Sequence, residues 1–535
     1  MHKLQRFLQL MMICALLSAC AGNPGLWGAP PTPTQVNPVL TDEATPSPAA
    51  ITATPSQTPL KVLPIPGSPT PGTAPTLPPP PQPTLAPQPT LPPVNTAGPM
   101  DVYQSQGGDT LAVVAKRFGV SPEQVISDQV LPPPESLIPA NTLLLIPKIN
   151  STEQFTPGQR TLPDSAVVFG PSSVGFNVVD YVNAQNGFLA TYDEYIMSGG
   201  TTTGAEAVVR ISEENSLSPR LILAIIEYES KWVRGRPTNL AQDEYPLGYV
   251  DYHYRRLFRQ LMWASGTLSD GYYRWRSGDL TELTFEDGST LRMNPNLNAG
   301  TAALQYYFAQ AHTRAQWEQA VASTGFAALY TEMFGSPWER ATAFEPVIPN
   351  GLTQPPLDLP FEPGKIWAFS GGPHSAWEEK GALAALDFAP ASVEHGCAKS
   401  DAWVVAPAGG VVARIDPGVV MLDLDGDGLE QTGWVILFLH IRSEGRVKQF
   451  DYLQKDDHIG HPSCEGGVAT GTHLHIARKY NGEWILADGP IPFNLGGWIA
   501  HEGIARYKGT LTNGDLTIEA STSGSFETNI KRAKK

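Results

Sequence analysis

Seven of the eleven histidines lie between residues 374 and 475. Three short pieces of that stretch carry side chains suited to a metal. Gly371-Gly372-Pro373-His374 puts an imidazole on a turn. Ala385-Leu386-Asp387-Phe388-Ala389 puts a carboxylate in an apolar strand. Gly471-Thr472-His473-Leu474-His475-Ile476 offers two imidazoles two residues apart, which in a strand face the same way. A catalytic zinc takes three protein ligands and keeps one position open. Two neutral imidazoles and one carboxylate leave such an ion net positive, able to acidify a water and polarise a carbonyl. Phe438-Leu439-His440 ends another apolar run and offers a base or a transition-state donor.

The elements that must position these groups read as short strands. Ala402-Trp403-Val404-Val405-Ala406, Val419-Val420-Met421-Leu422 and Trp434-Val435-Ile436-Leu437-Phe438-Leu439 are apolar runs separated by glycine and proline turns. The pattern predicts an antiparallel, β-rich domain. Asp423-Leu424-Asp425-Gly426-Asp427-Gly428 resembles the opening of a calcium loop. The position that needs a bidentate glutamate is Trp434, so a hairpin turn is the expectation and calcium at Asp423, Asp425 and Asp427 the lesser alternative.

These motifs together resemble the lysostaphin/LytM-type zinc endopeptidases, peptidase family M twenty-three. Its commonest form has the first histidine four residues before the aspartate, where this chain has Leu383. The β-lytic form has a longer insertion, and His374 with Asp387 matches it. The resemblance implies a duplicated-hybrid, lysostaphin-like fold over 355–510, followed by a tail at 511–535. It implies one zinc on His374, Asp387 and His475. His440 and His473 then assist, one activating water and the other steadying the oxyanion. Gly460-His461-Pro462-Ser463 and Gly466-Gly467 are similar to the family's lead-in. His395, His458, His461 and His501 fit no role and are expected at the surface or in loops.

Residues 165–350 are rich in helical periodicity. In 218–232, Ser218 is a natural N-cap and Pro219 a natural first residue. Leu221, Ile222, Ile225, Tyr228 and Trp232 share one face, and Glu229 falls inside it. Burial should raise that carboxyl's pKa, as a general acid for glycoside cleavage requires. Glu227 falls on the other side, one turn before Lys231, where an ion pair is expected. Glu229-Ser230, and Asn294 to Thr301 before an aromatic helix at 302–311, resemble lytic transglycosylases and lysozyme-like folds. That implies an all-α middle domain. No Gly-Leu-Met-Gln-type motif is present, the nearest stretch being Tyr245-Pro246-Leu247-Gly248-Tyr249. A satisfied buried carboxyl in a non-catalytic domain is weighed above a working acid. Tyr272, Tyr273, Trp275, Tyr306, Tyr307 and Phe308 suit a core better than a glycan groove.

Residues 101–149 change pattern again. Val102-Tyr103-Gln104 alternates like a strand, Asp109 can cap a helix at 110–118, and Gly119 can end it. Ser121-Pro122 predicts a second helix, and Leu143 to Pro147 a closing strand. This β-α-α-β order, with Gly108-Asp109-Thr110-Leu111 and Leu144-Leu145-Ile146-Pro147, resembles the LysM family. The resemblance implies binding of N-acetylglucosamine-containing glycans, here peptidoglycan, with Gly108, Asp109 and Thr110 at the groove.

The first 20 residues read as an export signal, a basic head before a short apolar run. Leu17-Ser18-Ala19-Cys20 resembles a lipobox, which implies cleavage before Cys20 and its lipidation. Residues 21–100 hold 24 of the 51 prolines and only Asp42, Glu43 and Lys61 as charges, the composition of an extended, disordered stalk. Once the signal is removed and Cys20 lipidated, Cys397 and Cys464 remain for pairing. A disulfide between them is the expectation in an oxidising compartment, with two free thiols as the alternative.

Beyond residue 100 the chain carries 33 basic and 50 acidic residues, a net −17 that argues against nucleic acid as a partner. No later apolar run reaches the about 18 residues of a membrane span, so contact with the membrane is expected through the lipid only. Taken together the pieces predict an extracytoplasmic, lipid-anchored zinc endopeptidase facing the cell wall. A silent wall-binding adaptor, or a zinc protease of secreted glycine-rich proteins, is the alternative.

Overall fold

The computed structural model describes residues 98–148, 154–377, 379–392 and 394–534, all within one unit, Thr90–Lys535. The signal, the stalk through residue 97, and Cys20 lie outside the described residues.

The first module pairs β1 (Met100–Gln104) with β2 (Leu143–Pro147), antiparallel, and carries α1 (Leu111–Phe118) between them. Thr110, not Asp109, caps α1 by accepting from Val113 N at 3.2 Å. Gly119 ends it at φ 72°, a left-handed conformation glycine adopts freely. The expected second helix is a single 3₁₀ turn, Pro122–Gln124. Pro132, Pro133 and Pro134 follow too soon for it to lengthen.

The helical part contains α2 (Gly204–Asn215), α3 (Pro219–Ser230), α4 (Leu257–Arg276) and α5 (Ala299–Ala311). It is not all-α. Asp193–Ile196 pairs with Gly200–Thr203, and Glu282–Thr284 with Thr290–Arg292. The threonine run at 201–203 and the Asp287-Gly288 turn favour these hairpins. Ser218 makes no side-chain cap bond. Glu227 does not meet Lys231; its carboxylate accepts from Val233 N at 3.1 Å and Arg234 N at 2.9 Å. Lys231 leaves the helix at φ 59°, and the turn it makes aims those amides back at Glu227.

The rest is built on a nine-stranded antiparallel sheet. Its strands are β3 (Ile366–His374), β4 (Ala385–Pro390), β5 (Gly410–Asp416), β6 (Gly418–Asp423), β7 (Trp434–Ile441), β8 (Tyr452–Leu453), β9 (Leu474–Tyr480) and β10 (Glu483–Trp484). Strands β11 (Asn494–Leu495), β12 (Trp498–Glu502), β13 (Gly509–Asn513) and β14 (Leu516–Glu519) form a second sheet. Residues 511–535 are not a tail, because β15 (Asn529–Lys531) closes the first sheet against β3. The order is β8-β5-β6-β7-β9-β4-β3-β15, with β10 paired to β9.

Both faces of this sheet are covered. Val420, Leu422, Ile436, Phe438, Leu474 and Ile476 belong to one core with Phe361, Phe369 and Trp498. The alternate residues Val419, Met421, Val435, Leu437 and Ala477 belong to another, shared with Ile222, Leu261 and Tyr272 of the helices. Each such aliphatic side chain contributes roughly 1.5–3 kcal/mol on burial. One core therefore runs across the expected boundary between 165–350 and 355–510.

Candidate metal centre

The register of three strands assembles the centre. β4 lies between β3 and β9, with Asp387 opposite both Gly371 and His475. Two irregularities in the β3–β4 pairing let His374, opposite Ala385, turn its ring toward Asp387. Gly371 is required by contact: a Cβ there would sit 2.4 Å from Asp387 Oδ2.

Asp387 Oδ1 lies 3.3 Å from His374 Nε2 and 3.3 Å from His475 Nδ1. The two ring nitrogens are 2.9 Å apart. His374 Nδ1 meets Gly372 O at 2.8 Å, and His475 Nε2 meets Ala376 O at 3.0 Å. A carbonyl only accepts, so these outer nitrogens carry the protons and the inner ones are bare in the neutral rings. Asp387 Oδ1 is buried without a hydrogen-bond partner. Three electron-rich atoms thus converge in a buried place where none donates to another. A cation resolves that repulsion, and a two-histidine, one-carboxylate set with room for a further ligand suits zinc.

His440 and His473 form one wall of the same site, ring centroids 4.5 Å apart. His440, next to last in β7, sits at φ 65°, a strained conformation for a non-glycine residue, at the bulge between β6 and β7. Its Nδ1 donates to Glu465 O at 3.0 Å, which leaves Nε2 bare. Burial first, then His473 and His475, push its pKa down to about 3, so the ring is neutral. His473 Nδ1 donates to Gly471 O at 2.7 Å, and its Nε2 faces Asp387 Oδ1 at 3.8 Å. Cys397 and Cys464 form a disulfide that ties together the loops on this side.

Tyr507 is part of the site and was not anticipated. Its ring stacks on His374 at 4.1 Å, and neighbouring Arg506 donates to Ser375 Oγ at 2.8 Å. It stands 32 residues beyond His475 in an unpatterned turn, where sequence offers no signal. His461, expected in a loop or at the surface, is buried against Trp403 with ring centroids 3.8 Å apart.

The other expected sites are placed differently. Asp109 is 1% exposed and accepts from Tyr103 Oη at 2.7 Å and Arg117 Nη1 at 2.8 Å. Thr110 is buried at the helix cap, and a Cβ on Gly108 would meet Arg276 Nη1 at 2.7 Å. Arg276 also donates to Gly107 O. Asp109 and Thr110 are therefore closed off within their own module, while Gly108 is half-buried beside Arg276 of α4, at the edge of a cleft it shares with Ile138 and Ile348.

Glu229 accepts from His312 Nε2 at 2.9 Å, and burial raises its pKa against the opposing pull of that histidine. The 245–249 stretch does reach it, since a Cβ on Gly248 would lie 2.6 Å from Glu229 Oε2. His312 was not anticipated, and no second carboxylate is hydrogen-bonded to Glu229 among the described residues. Tyr272, Tyr273, Trp275, Tyr307 and Phe308 are core, and Tyr306 packs beside them.

Asp423, Asp425 and Asp427 cluster, but as a self-satisfied turn between β6 and β7. Asp423 accepts from Asp425 N at 3.0 Å and Gly428 N at 2.8 Å, and Asp427 from Leu429 N at 2.8 Å.

Residues 160–347 match the family model described as the LasA N-terminal domain. That is a different family from the lytic transglycosylases the segment resembles. Comparison with curated proteins finds no match. Among solved structures, the metalloprotease pseudoalterin, from the deep sea, is 21% identical over 32% of this chain and 96% of its own, with a TM-score of 0.27. Lysostaphin from Staphylococcus simulans is 17% identical over 33% of this chain and 81% of its own, with a TM-score of 0.18. A zinc-containing peptidase from Vibrio cholerae is 16% identical over 27% of this chain, with a TM-score of 0.18, and the chain spans 40% of its length.

Proposed function

We propose that the protein is a zinc endopeptidase that hydrolyses peptide bonds of peptidoglycan, in stems or cross-bridges, while held at the outer face of the membrane through lipid on Cys20. One observation carries the reading: two bare imidazole nitrogens and an unpartnered carboxylate oxygen converge within 3.3 Å of one another, beside two further imidazoles. Zinc held by His374, Asp387 and His475 would supply Lewis acidity toward a water and the scissile carbonyl.

The chain's own residues do the rest. His374 and His475 are fixed in orientation by Gly372 O and Ala376 O, so the ligand set is preorganised. His440, kept neutral by burial, presents bare Nε2 to take the proton of the attacking water. The same atom returns that proton to the departing amine. His473 shares that wall and stands where the oxyanion would develop, the partner role the family resemblance gives it. The family resemblance favours bonds beside glycine or other small residues, and the wall as target accords with the export signal and stalk. Asp109 and Thr110 are buried, so recognition of the cleaved peptide is assigned to the cleft around the metal centre.

The test is digestion of purified peptidoglycan by the zinc-loaded protein, with new amino termini identified by mass spectrometry. Peptide-bond cleavage that stops with a chelator and in His475→Ala is expected. Digestion by His475→Ala at the wild-type rate, or an absence of new termini, overturns the reading.

A further inference from the structure

We propose that the cleft beside the Cys397–Cys464 disulfide is a subsite for a carboxylate carried by the peptide substrate, with Arg442 as its cation. The proposal rests on the endopeptidase reading and names part of the substrate that reading would require.

The cleft, open to solvent on one side, has a volume of about 450 Å³ and is lined by Cys397, Lys399, Arg442, Glu444, Cys464 and Glu465. It shares its walls with the catalytic histidines. Ser463 N donates to His440 O at 2.7 Å, and Glu465 O accepts from His440 Nδ1 at 3.0 Å. Thr472, next to His473, donates through its N to Gly396 O at 3.0 Å, one residue from Cys397. A group seated here is therefore adjacent to the reacting centre.

Arg442 lies two residues past His440, and its side chain is only 15% exposed. A guanidinium has five N–H donors. Among the described residues this one makes a single hydrogen bond, from Nη1 to Ser400 O at 3.1 Å, and its Nε is buried without a partner. Two carboxylates are near, and neither answers it. Glu465 is engaged by Ser443, accepting from N at 2.8 Å and from Oγ at 2.5 Å. Glu444 stands 4.0 Å from Nε on a side chain 79% exposed, where an ion pair contributes little. Lys399 at the rim stands 3.9 Å from the same exposed Glu444, so the pair leaves little net charge and Arg442 is the cation of the cleft. An under-satisfied, largely buried guanidinium beside an open cleft selects a planar anion, and in a peptide that anion is a carboxylate. The disulfide holds the 397 and 464 walls at a fixed spacing.

The test uses the full-length, zinc-loaded protein and glycine-rich peptides identical except for one Glu or Gln, placed at each position in turn. At one position the Glu peptide should exceed its Gln partner in kcat/KM by about tenfold or more. The ratio should approach one in Arg442→Gln, take an intermediate value in Arg442→Lys, and shrink as salt is added. Calorimetry with the metal-free full chain reads the same Glu-over-Gln ratio in Kd, independent of turnover. Cleavage with no Glu preference at any position overturns the subsite and spares the endopeptidase reading. A binding preference without cleavage of any peptide does the reverse. Neither preference nor cleavage overturns both, and a preference that survives in Arg442→Gln and Arg442→Lys overturns the assignment to Arg442.

Discussion

Asp387 is the residue on which the centre turns, because the two strands flanking its own bring groups to its two oxygens. Oδ1 faces both ligand histidines, while Oδ2 lies over the bare backbone of Gly371. Gly371→Ala would drive a methyl into that carboxylate, since strand backbone has little room to give. Metal affinity should fall about 10- to 100-fold, the scale seen when groups that orient ligands are disturbed. Titration with zinc checks it; unaltered affinity would remove Gly371 from the site. The two pairs of histidines should also separate cleanly. His475→Ala should lose bound zinc and activity together. His440→Ala should keep zinc and lose about 10²–10⁴-fold in kcat, the usual contribution of a proton-transfer group. Metal content by mass spectrometry beside peptide turnover distinguishes them, and zinc loss in His440→Ala would make it a ligand.

The element that carries His475 is held from outside its own sheet. β9 turns into β10, and Trp484 N in β10 donates to Tyr273 Oη of α4 at 2.8 Å. Glu483 beside it meets Arg276 at 2.9 Å and Tyr272 Oη at 2.9 Å. Tyr273→Phe leaves a buried N–H unanswered and should cost about 1–3 kcal/mol. Chemical unfolding followed with bound zinc as a second signal would measure it, and an unchanged midpoint would mean α4 does not hold the hairpin. Short apolar runs between turn residues made β6 and β7 legible from sequence. Their runs are apolar at every position, from Val435 to Leu439 for example, which says that both faces are covered but not by what. That the second cover is the helical segment depends on contacts far apart in sequence, and local pattern carries no trace of them. The same holds for His312 against Glu229, 83 residues away, and for Arg276 against Gly107, 169 away. By contrast, His374, Asp387, His440, His473 and His475 were legible as a group through the resemblance to the zinc endopeptidases, and the pairing of Asp387 with Gly371 and His475 is what the strands add. Arg442 was not, since a strand-end arginine reads as surface until its partners are counted.

At the scale of the whole chain, the seam between helices and sheet is lined with buried charge. Arg414 meets Glu430 at 2.7 Å, and Lys479, fully buried, meets it at 3.0 Å. Burial would raise the Glu430 pKa, but Arg414 and Lys479 outweigh it and hold it at about 2. Across the seam, burial pushes Glu213 up to about 7, with Arg414 and Lys479 pulling down and Glu430 and Asp416 pushing up. Glu345, whose carboxylate accepts from Ser165 N at 2.7 Å, is raised to about 7 by burial and Asp164, against the pull of Arg276. These shifts have opposite consequences. Glu430 stabilises the fold above the ordinary carboxyl range near 4.5, and that contribution is lost as pH falls toward about 2. Glu213 and Glu345 bind their protons more tightly folded than unfolded. Their contribution is complete below about 4.5 and is lost as pH rises to about 7. Each is worth roughly 1–3 kcal/mol, so the seam should be tightest near pH 5 and looser at 7.5. Calorimetric melting of the full chain at pH 5 and at pH 7.5 should show a fall of several degrees between them. In the Glu213→Gln, Glu345→Gln double variant, an uncharged amide stands where the acid form stood, and most of that fall should vanish. Parallel melting profiles in variant and wild type would mean that neither carboxyl titrates in the folded chain.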